Sequence, residues 1–175
     1  MKKLTLLFTM LFALTIWVGG AQAKNHQTMG TSSKVLVAYF SATGTTAGVA
    51  EKLASATGGE LYAIVPEKAY TSADLDWRND KSRSSVEMKD PKVRPALKGA
   101  VKDLDGYDVV FIGYPIWWDA APRVINTFIE NHDLKGKRLI PFATSGSSGI
   151  EESVKALRKS YPELKWSDGD DPGMD

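Results

Sequence analysis

Apolar residues occur along this chain in short unbroken runs, separated by stretches with helical spacing. The runs at 34–40, 60–65, 107–113 and 138–143 predict four β-strands. Because these runs are continuously apolar rather than alternating, they are typical of a parallel sheet that helices cover on both faces. A further short run at 164–166 is the expected edge strand.

Three segments between these runs have the spacing of amphipathic helices. The first covers 46–56 and ends at Gly58, the second begins near Pro122, and the third follows the last long strand. Ser148 and Glu151 have the spacing of a capping box at the start of the third helix. The alternation of strands and helices predicts an α/β fold with a doubly wound parallel sheet.

The segment 66–106 is charged and only weakly periodic, and Pro91 and Pro95 interrupt it. We expect one short helix near 96–104. So long an irregular connection in a compact domain usually carries function, and we expect part of it to fold over a ligand. Trp77 lies in this segment, either as a cover for that ligand or as an ordinary surface aromatic residue.

Three loops of unusual composition each follow a predicted strand, at 41–46, 114–121 and 144–149. In doubly wound sheets, ligands bind beyond the carboxyl ends of the strands, at the switch in strand order. We therefore expect the three loops to converge on one crevice.

The first loop has the composition of a phosphate site, with hydroxyl-bearing or small residues throughout: Ser41, Ala42, Thr43, Gly44, Thr45 and Thr46. Hydroxyls and free N–H groups at a helix N-terminus bind phosphate. The loop contains no Lys or Arg, and neither the G-K-[ST] nor the G-x-G-x-x-G pattern is present. These features favour a single phosphate monoester over a triphosphate or a dinucleotide, and they indicate FMN.

The other two loops would hold the ring of such a cofactor. The second contains large rings where a flat isoalloxazine would stack, in Tyr114, Pro115, Ile116, Trp117 and Trp118. The alternative is that one tryptophan only plugs the sheet edge. The third loop is small and hydroxyl-rich, and its amides would bond the pyrimidine end of a flavin or would simply cap a helix: Thr144, Ser145, Gly146, Ser147 and Gly149.

Other chemistries fit the sequence poorly. The absence of cysteine excludes disulfides, thiolate metal sites and a cysteine nucleophile. Neither His26 nor His132 has metal-ligand spacing around it, and 146–149 lacks the G-x-S-x-G spacing of a nucleophile elbow. A receiver domain would need acidic residues where Ser41 and Tyr114 stand.

The first 23 residues are predicted to be an export signal, with Lys2 and Lys3, an apolar stretch at 4–18 and the cleavage site Ala21-Gln22-Ala23. Residues 24–33 would be a flexible leader and 34–175 the folded domain. We expect a periplasmic or secreted protein without a membrane span after cleavage; an uncleaved anchor is the alternative. Cleavage leaves 20 of the 22 basic residues against 21 acidic ones, a net charge of −1 that gives no reason to expect nucleic-acid binding.

Together these motifs resemble the flavodoxin family. The stretch 41–46 resembles its phosphate loop, a hydroxyl residue followed by x-Thr-Gly-x-Thr. Residues 113–118, with Ala121-Pro122, resemble the first flavin loop of a flavodoxin-like oxidoreductase subgroup, and 94–97 and 141–146 resemble other stretches of that subgroup. The resemblance implies non-covalent FMN in a five-stranded sheet of order 2-1-3-4-5.

The chain departs from the family pattern at three points. Residues 144–149 contain no aromatic residue to clamp the flavin, so one ring face would stay open to a substrate or nicotinamide. The near-neutral charge gives little reason to expect docking to a very basic partner. Few residues follow the edge strand, so the closing helix would be short or missing, as in a truncated gene product. The open sheet face would then bind a partner or a second copy of this chain.

The favoured function is an exported FMN protein that passes electrons to a redox partner protein or to a small-molecule acceptor. One alternative is an FMN-dependent NAD(P)H or quinone oxidoreductase, and another is a non-redox binding module that has lost the cofactor. Since Asp119 is the one carboxylate in the two ring loops, we expect a less negative reduction potential than in strongly acidic flavodoxins.

Overall fold

The computed structural model describes residues 33–167, so the predicted export signal at 1–23 lies outside the described residues. Five strands form one sheet in the order β2-β1-β3-β4-β5, and every pairing is parallel. The predicted fold class and strand order are confirmed. The strands are β1 Val35–Tyr39, β2 Glu60–Ala63, β3 Val109–Pro115, β4 Arg138–Thr144 and β5 Lys165–Trp166.

Four helices connect these strands: α1 Thr45–Thr57, α2 Arg83–Lys89, α3 Arg123–Glu130 and α4 Glu151–Ser160. The three predicted helices are present with small shifts in their bounds. α1 ends at Gly58, whose φ of 66° places it in the left-handed region as the sequence pattern suggests. Within the described residues, no helix has the length and apolarity required to cross a membrane.

Two clusters of buried side chains lie on opposite faces of the sheet. Val37 and Phe111 pack against α1 on one face. Leu36, Val110 and Ile112 belong to a larger cluster with α3 and α4 on the other face. Successive residues of a strand point to opposite faces, so two buried faces require an unbroken apolar run. Each fully buried side chain of this kind stabilises the fold by about 1.5–3 kcal/mol.

The segment between β2 and β3 differs from the sequence prediction. The prediction of a helix at 96–104 is wrong, because the helical structure in this region is a 3₁₀ turn at Leu104–Gly106. Backbone groups of this region pair instead with the end of β2, because Glu67 N–H donates to Ala96 O at 2.8 Å and Lys98 N–H to Val65 O at 2.7 Å. α2 was not predicted. It spans seven residues, too few to show a helical period clearly.

The capping box predicted from Ser148 and Glu151 is also wrong. α4 follows Ile150 without a side-chain cap. Ser148 N–H donates instead to Ser145 Oγ at 2.9 Å, so the loop closes on its own hydroxyl. The edge strand expected near Trp166 is confirmed as β5. The expectation of a missing closing helix concerns residues after 167, outside the described residues.

Candidate functional site

One cavity lies at the carboxyl ends of the strands. Its volume is about 520 Å³, which is within the usual range for a small-molecule or cofactor site. All three loops predicted from the sequence contribute to its wall, and so does the segment between β2 and β3. The lining residues are Ala42, Thr43, Leu75, Trp77, Ser84, Pro115, Ile116, Trp117, Trp118, Ser145, Gly146, Ser147 and Ser148.

The loop after β1 presents an open helix N-terminus. Gly44 has φ 92° and ψ −19°, a backbone conformation that favours glycine, and its N–H donates to Ser41 Oγ at 3.1 Å. No side chain caps α1, and its first turn carries no acidic residue. Thr43 and Thr45, both exposed, flank Gly44 at this terminus, and their Oγ1 atoms lie 3.5 Å apart. The first-turn N–H groups of a helix have no intrahelical partner. This set of uncharged donors at the positive end of a helix suits an anion.

Two threonines join the first and third loops. Thr46 is buried, and its Oγ1 lies 2.8 Å from Thr144 Oγ1, 98 positions along the chain. This hydrogen bond holds the start of α1 against the end of β4. Thr46 and Thr144 therefore position the two loops and do not line the cavity.

The loop after β3 turns sharply at Trp118 and Asp119. The backbone N–H groups of Trp117 and Ala120 each donate to the other's carbonyl at 3.0 Å. Trp118 and Asp119 have φ of 47° and 56°, the positive values that a type I′ turn requires at both central positions. A bulky residue is uncommon in this conformation, which costs on the order of 1–3 kcal/mol.

The two neighbouring tryptophans have different environments. Trp117 lies edge-on to Phe40 and Tyr70, with ring centroids 5.7 and 5.2 Å away. Trp118 is 51% exposed and lines the cavity, and its ring has no ring partner among residues 33–167. Both tryptophans therefore line the cavity, one as part of a packed aromatic cluster and the other with a ring available for stacking.

No charged side chain lines this cavity in the part of the chain that the structure describes. Among the same residues, no group of histidine and acidic side chains could hold a metal ion. Asp119 is exposed and outside the lining. The arrangement suits a ligand that has one anionic end for the helix terminus and a flat apolar part for the tryptophans.

The family model described as flavodoxin matches residues 34–171 of this chain. The chain belongs to the flavodoxin family. No curated protein matches it significantly.

Solved structures similar to this flavodoxin come from several bacteria. A "putative flavoprotein" from Bacteroides eggerthii DSM 20697 has 66% identity and a TM-score of 0.77, over 78% of this chain and 86% of that one. A second, from Bacteroides uniformis ATCC 8492, has 57% identity and a TM-score of 0.76, over 78% and 87%. A flavoprotein from Lactobacillus acidophilus NCFM, solved in complex with FMN, has 22% identity and a TM-score of 0.66 over 78% and 91%, which shows a shared fold.

Several predicted site residues of this flavodoxin lie elsewhere. The side chain of Tyr114 is fully buried among α3 and α4, where its hydroxyl lies 3.0 Å from Ser153 Oγ and burial raises its pKa. Alternation along β3 points this side chain into the core, so the structure does not bring it to the cavity. Ser41 and Gly44 border a neighbouring cavity of about 290 Å³. Gly149 is next to the side chain of Glu151 and does not line the 520 Å³ cavity.

Leu75, Ser84 and Ser148 line the cavity, although the sequence does not predict them as site residues. Trp77 also lines the cavity, and for this residue the sequence allows either a ligand cover or an ordinary surface aromatic residue. Ser148 was assigned to a helix cap instead. No local pattern marks Leu75 or Ser84, because their place at the cavity depends on how α2 packs. The aromatic character of Trp77 in a polar segment was the one available signal.

Proposed function

We propose that this flavodoxin binds FMN and transfers electrons, with the role of an electron carrier favoured. The observation that supports this most directly is an uncharged cavity that is lined by two tryptophans and by Ala42 and Thr43, the residues that lead into the open N-terminus of α1. Membership of the flavodoxin family and the shared fold of a Lactobacillus protein solved with FMN support the same cofactor. When bound, FMN would supply one- and two-electron chemistry.

The residues present fit this cofactor from end to end. Thr43, Thr45 and the first-turn N–H groups of α1 would hold the phosphate by hydrogen bonds. Trp118, at the open part of the cavity, would stack on the ring and shield it from water. Backbone groups of the loop at 145–147 would bond the polar edge of the ring, since small side chains there permit a close approach.

The first test is cofactor uptake. The purified protein, incubated with excess FMN and freed of unbound flavin, should retain a stoichiometric amount of flavin with visible absorbance. Riboflavin, which lacks the phosphate, should bind at least about tenfold more weakly, because hydrogen bonds to a charged group contribute about 1.5–3 kcal/mol. A correctly folded sample that retains no FMN would contradict the redox function and leave a non-redox binding module.

The phosphate assignment has its own test. Thr43→Ala should weaken FMN binding by about tenfold or more, since one charge-assisted hydrogen bond is lost. The same variant should leave riboflavin binding unchanged. Ser160→Ala is a matched control, because Ser160 is an exposed hydroxyl at the end of α4 and bonds only to Ala156 O in the described structure. Equal losses for both flavins would contradict a phosphate contact.

A second candidate is an FMN-dependent NAD(P)H or quinone oxidoreductase. The free ring of Trp118 and the absence of an aromatic residue at 145–148 favour it, because they leave access for a second planar molecule. A reductive titration separates the two candidates. Accumulation of one-electron-reduced flavin supports the carrier, whereas steady oxidation of NAD(P)H with a quinone acceptor supports the enzyme.

Export is also a proposal. Lys2 and Lys3, the apolar stretch that follows and the Ala21-Gln22-Ala23 site support it. We expect the protein in the periplasmic or secreted fraction with Lys24 as its first residue. Fractionation followed by N-terminal sequencing tests this, and an intact Met1 in the cytoplasm would refute it.

A further inference from the structure

The segment between β2 and β3 is built as part of the site rather than as a loose connection. Its ends are joined by backbone hydrogen bonds between Val65–Glu67 and Ala96–Lys98, with an antiparallel bridge between Pro66 and Leu97. Asp74 accepts from both the N–H and the hydroxyl of Thr71 at 2.9 Å, which closes a tight turn before Leu75.

A network of polar side chains fixes α2 within this segment. Glu87 is 7% exposed and accepts from Arg83 Nε at 2.6 Å and from the Tyr70 hydroxyl at 2.5 Å. The Arg83 guanidinium also lies 4.0 Å from the centre of the Tyr70 ring, and that ring packs edge-on against Trp117. The network therefore connects α2 directly to the aromatic wall of the cavity.

α2 places one serine hydroxyl at the cavity, and within the described residues its one hydrogen-bond contact is a long one. Ser84 is 2% exposed and lines the cavity, and its N–H donates to Asp74 O at 3.0 Å. Its Oγ lies 3.5 Å from Ser82 Oγ, too long for an effective O–H···O hydrogen bond. Ser85 is equally buried, but its Oγ accepts from Ser82 Oγ at 2.8 Å, and it does not line the cavity.

Trp77 is the second feature of this wall. It lines the cavity, yet 68% of it is exposed. Its one ring contact in the described structure is with the guanidinium of Arg78, 5.1 Å from the ring centroid. Trp77 lies within a turn in which Asp76 accepts hydrogen bonds from the N–H groups of Arg78 and Asn79. An aromatic ring held at a cavity with so little of its surface covered has area available to a ligand.

We infer that the segment between β2 and β3 forms a further wall of the FMN site, in which Trp77 covers the flavin and the Ser84 hydroxyl donates a hydrogen bond to it. This inference rests on the proposed FMN binding and adds two binding residues outside the loops at the strand ends. The wall takes the place of the aromatic residue that the loop at 144–149 lacks.

Two variants test the wall, and FMN affinity is the measurement. Trp77→Ala should weaken FMN binding about tenfold, because it removes aromatic contact area. Trp77→Phe should lose less. Ser84→Ala should weaken binding about fivefold through the loss of one hydrogen bond. Ser85→Ala and Val86→Ala are matched controls on the same helix, since neither residue lines the cavity, and both should bind FMN like the unaltered protein.

A second readout does not depend on affinity. FMN bound to Trp77→Ala should be quenched more strongly by a soluble collisional quencher than FMN bound to the unaltered protein. Circular dichroism establishes that each variant folds. If Trp77→Ala and Ser84→Ala match the controls in both readouts while the unaltered protein binds FMN, the wall is refuted and the proposed function stands. If the unaltered protein binds no FMN, both the proposed wall and the proposed function are refuted.

Discussion

Two parts of the cavity wall are held in place by different forces. The loops after β1, β3 and β4 follow the ends of strands. Backbone hydrogen bonds between neighbouring strand ends attach them to the sheet, and the Thr46–Thr144 hydroxyl pair joins the first loop to the third. Phe40 N–H donates to Gly113 O and Ile116 N–H donates to Thr144 O, both at 2.9 Å. The segment between β2 and β3 depends instead on side chains such as Glu87.

This difference affects how each part of the cavity wall responds to substitution. Backbone hydrogen bonds are available to almost any sequence, so the attachment of the strand-end loops to the sheet does not depend on particular side chains as long as the strands form. A wall held by one buried carboxylate and its donors is sensitive to single substitutions. The comparison can be tested by weakening each kind of support separately.

The largest effect is expected from Glu87→Ala. Removing a buried carboxylate leaves Arg83 and Tyr70 without their partner and should cost about 2–4 kcal/mol of unfolding free energy. Urea denaturation measures this cost, and hydrogen exchange should show faster opening at 70–89 than in the strands. Asp80→Ala is the control on the same segment, because its ion pair with Lys89 is exposed to solvent and should contribute far less than the buried Glu87 network. Equal effects of the two variants would contradict the comparison.

Gly44→Ala tests the backbone-supported wall. A Cβ at Gly44 meets no atom within 4 Å, so the cost is conformational strain at φ 92°, about 1–2 kcal/mol. Gly48→Ala is the matched control inside α1, where alanine should stabilise the helix by about 0.5–1 kcal/mol. Thermal unfolding measures both changes. Stabilisation by Gly44→Ala would show that the turn does not need its left-handed conformation.

Ser147→Asp introduces a carboxylate into the uncharged lining. The added negative charge should disfavour reduced, anionic flavin and lower the midpoint potential. An interaction of about 1 kcal/mol corresponds to about 40 mV for one electron. Glu51→Gln, on α1 and outside the lining, is a control for a charge change away from the cavity. A potentiometric titration of the two FMN complexes measures the shift, and an unchanged potential in Ser147→Asp would contradict the proposed ring position.

The smallest effect concerns pH. The pKa of Glu130 lies below its ordinary value because Arg94 donates two hydrogen bonds to it, and the Tyr161 hydroxyl donates another. The stability that the Glu130–Arg94 ion pair contributes is therefore fully present above about pH 4.3, the pKa of glutamate in an unfolded chain. It is lost as the pH falls through the lower pKa that Glu130 has in the folded protein. Because the pair is partly exposed, its contribution should be under about 1 kcal/mol. Glu130→Gln should remove this acid-side loss of stability in urea titrations at several pH values.

The same cluster predicts an alkaline effect. Burial, followed by the hydrogen bond to Glu130, raises the pKa of Tyr161 to about 12. The associated stability is fully present below about pH 10 and is lost as the pH rises through about 12. Tyr161→Phe should flatten this dependence. An equally steep alkaline loss of stability in that variant would place its origin in the other buried tyrosines.

Much of the fold follows from local patterns in the chain. The continuous apolar run that became β3 indicates a covered strand, and Gly58 indicates the end of α1. By contrast, the capping box at Ser148 was mistaken, because the Ser145 hydroxyl competes for the same loop N–H groups. A spacing shows which hydrogen bonds are available but not which of the competing ones forms.

The sequence by itself determined the order of strands and loops, and hence that three of its loops meet at one edge of a parallel sheet, because strand direction and connection handedness leave few other arrangements. Only the tertiary structure decided that Trp117 is packed while Trp118 is free, and that Trp77 and Ser84 complete the cavity. These positions depend on contacts between residues far apart in the chain, such as Tyr70 with Glu87 and Trp117. Local periodicity carries no information about contacts of that kind.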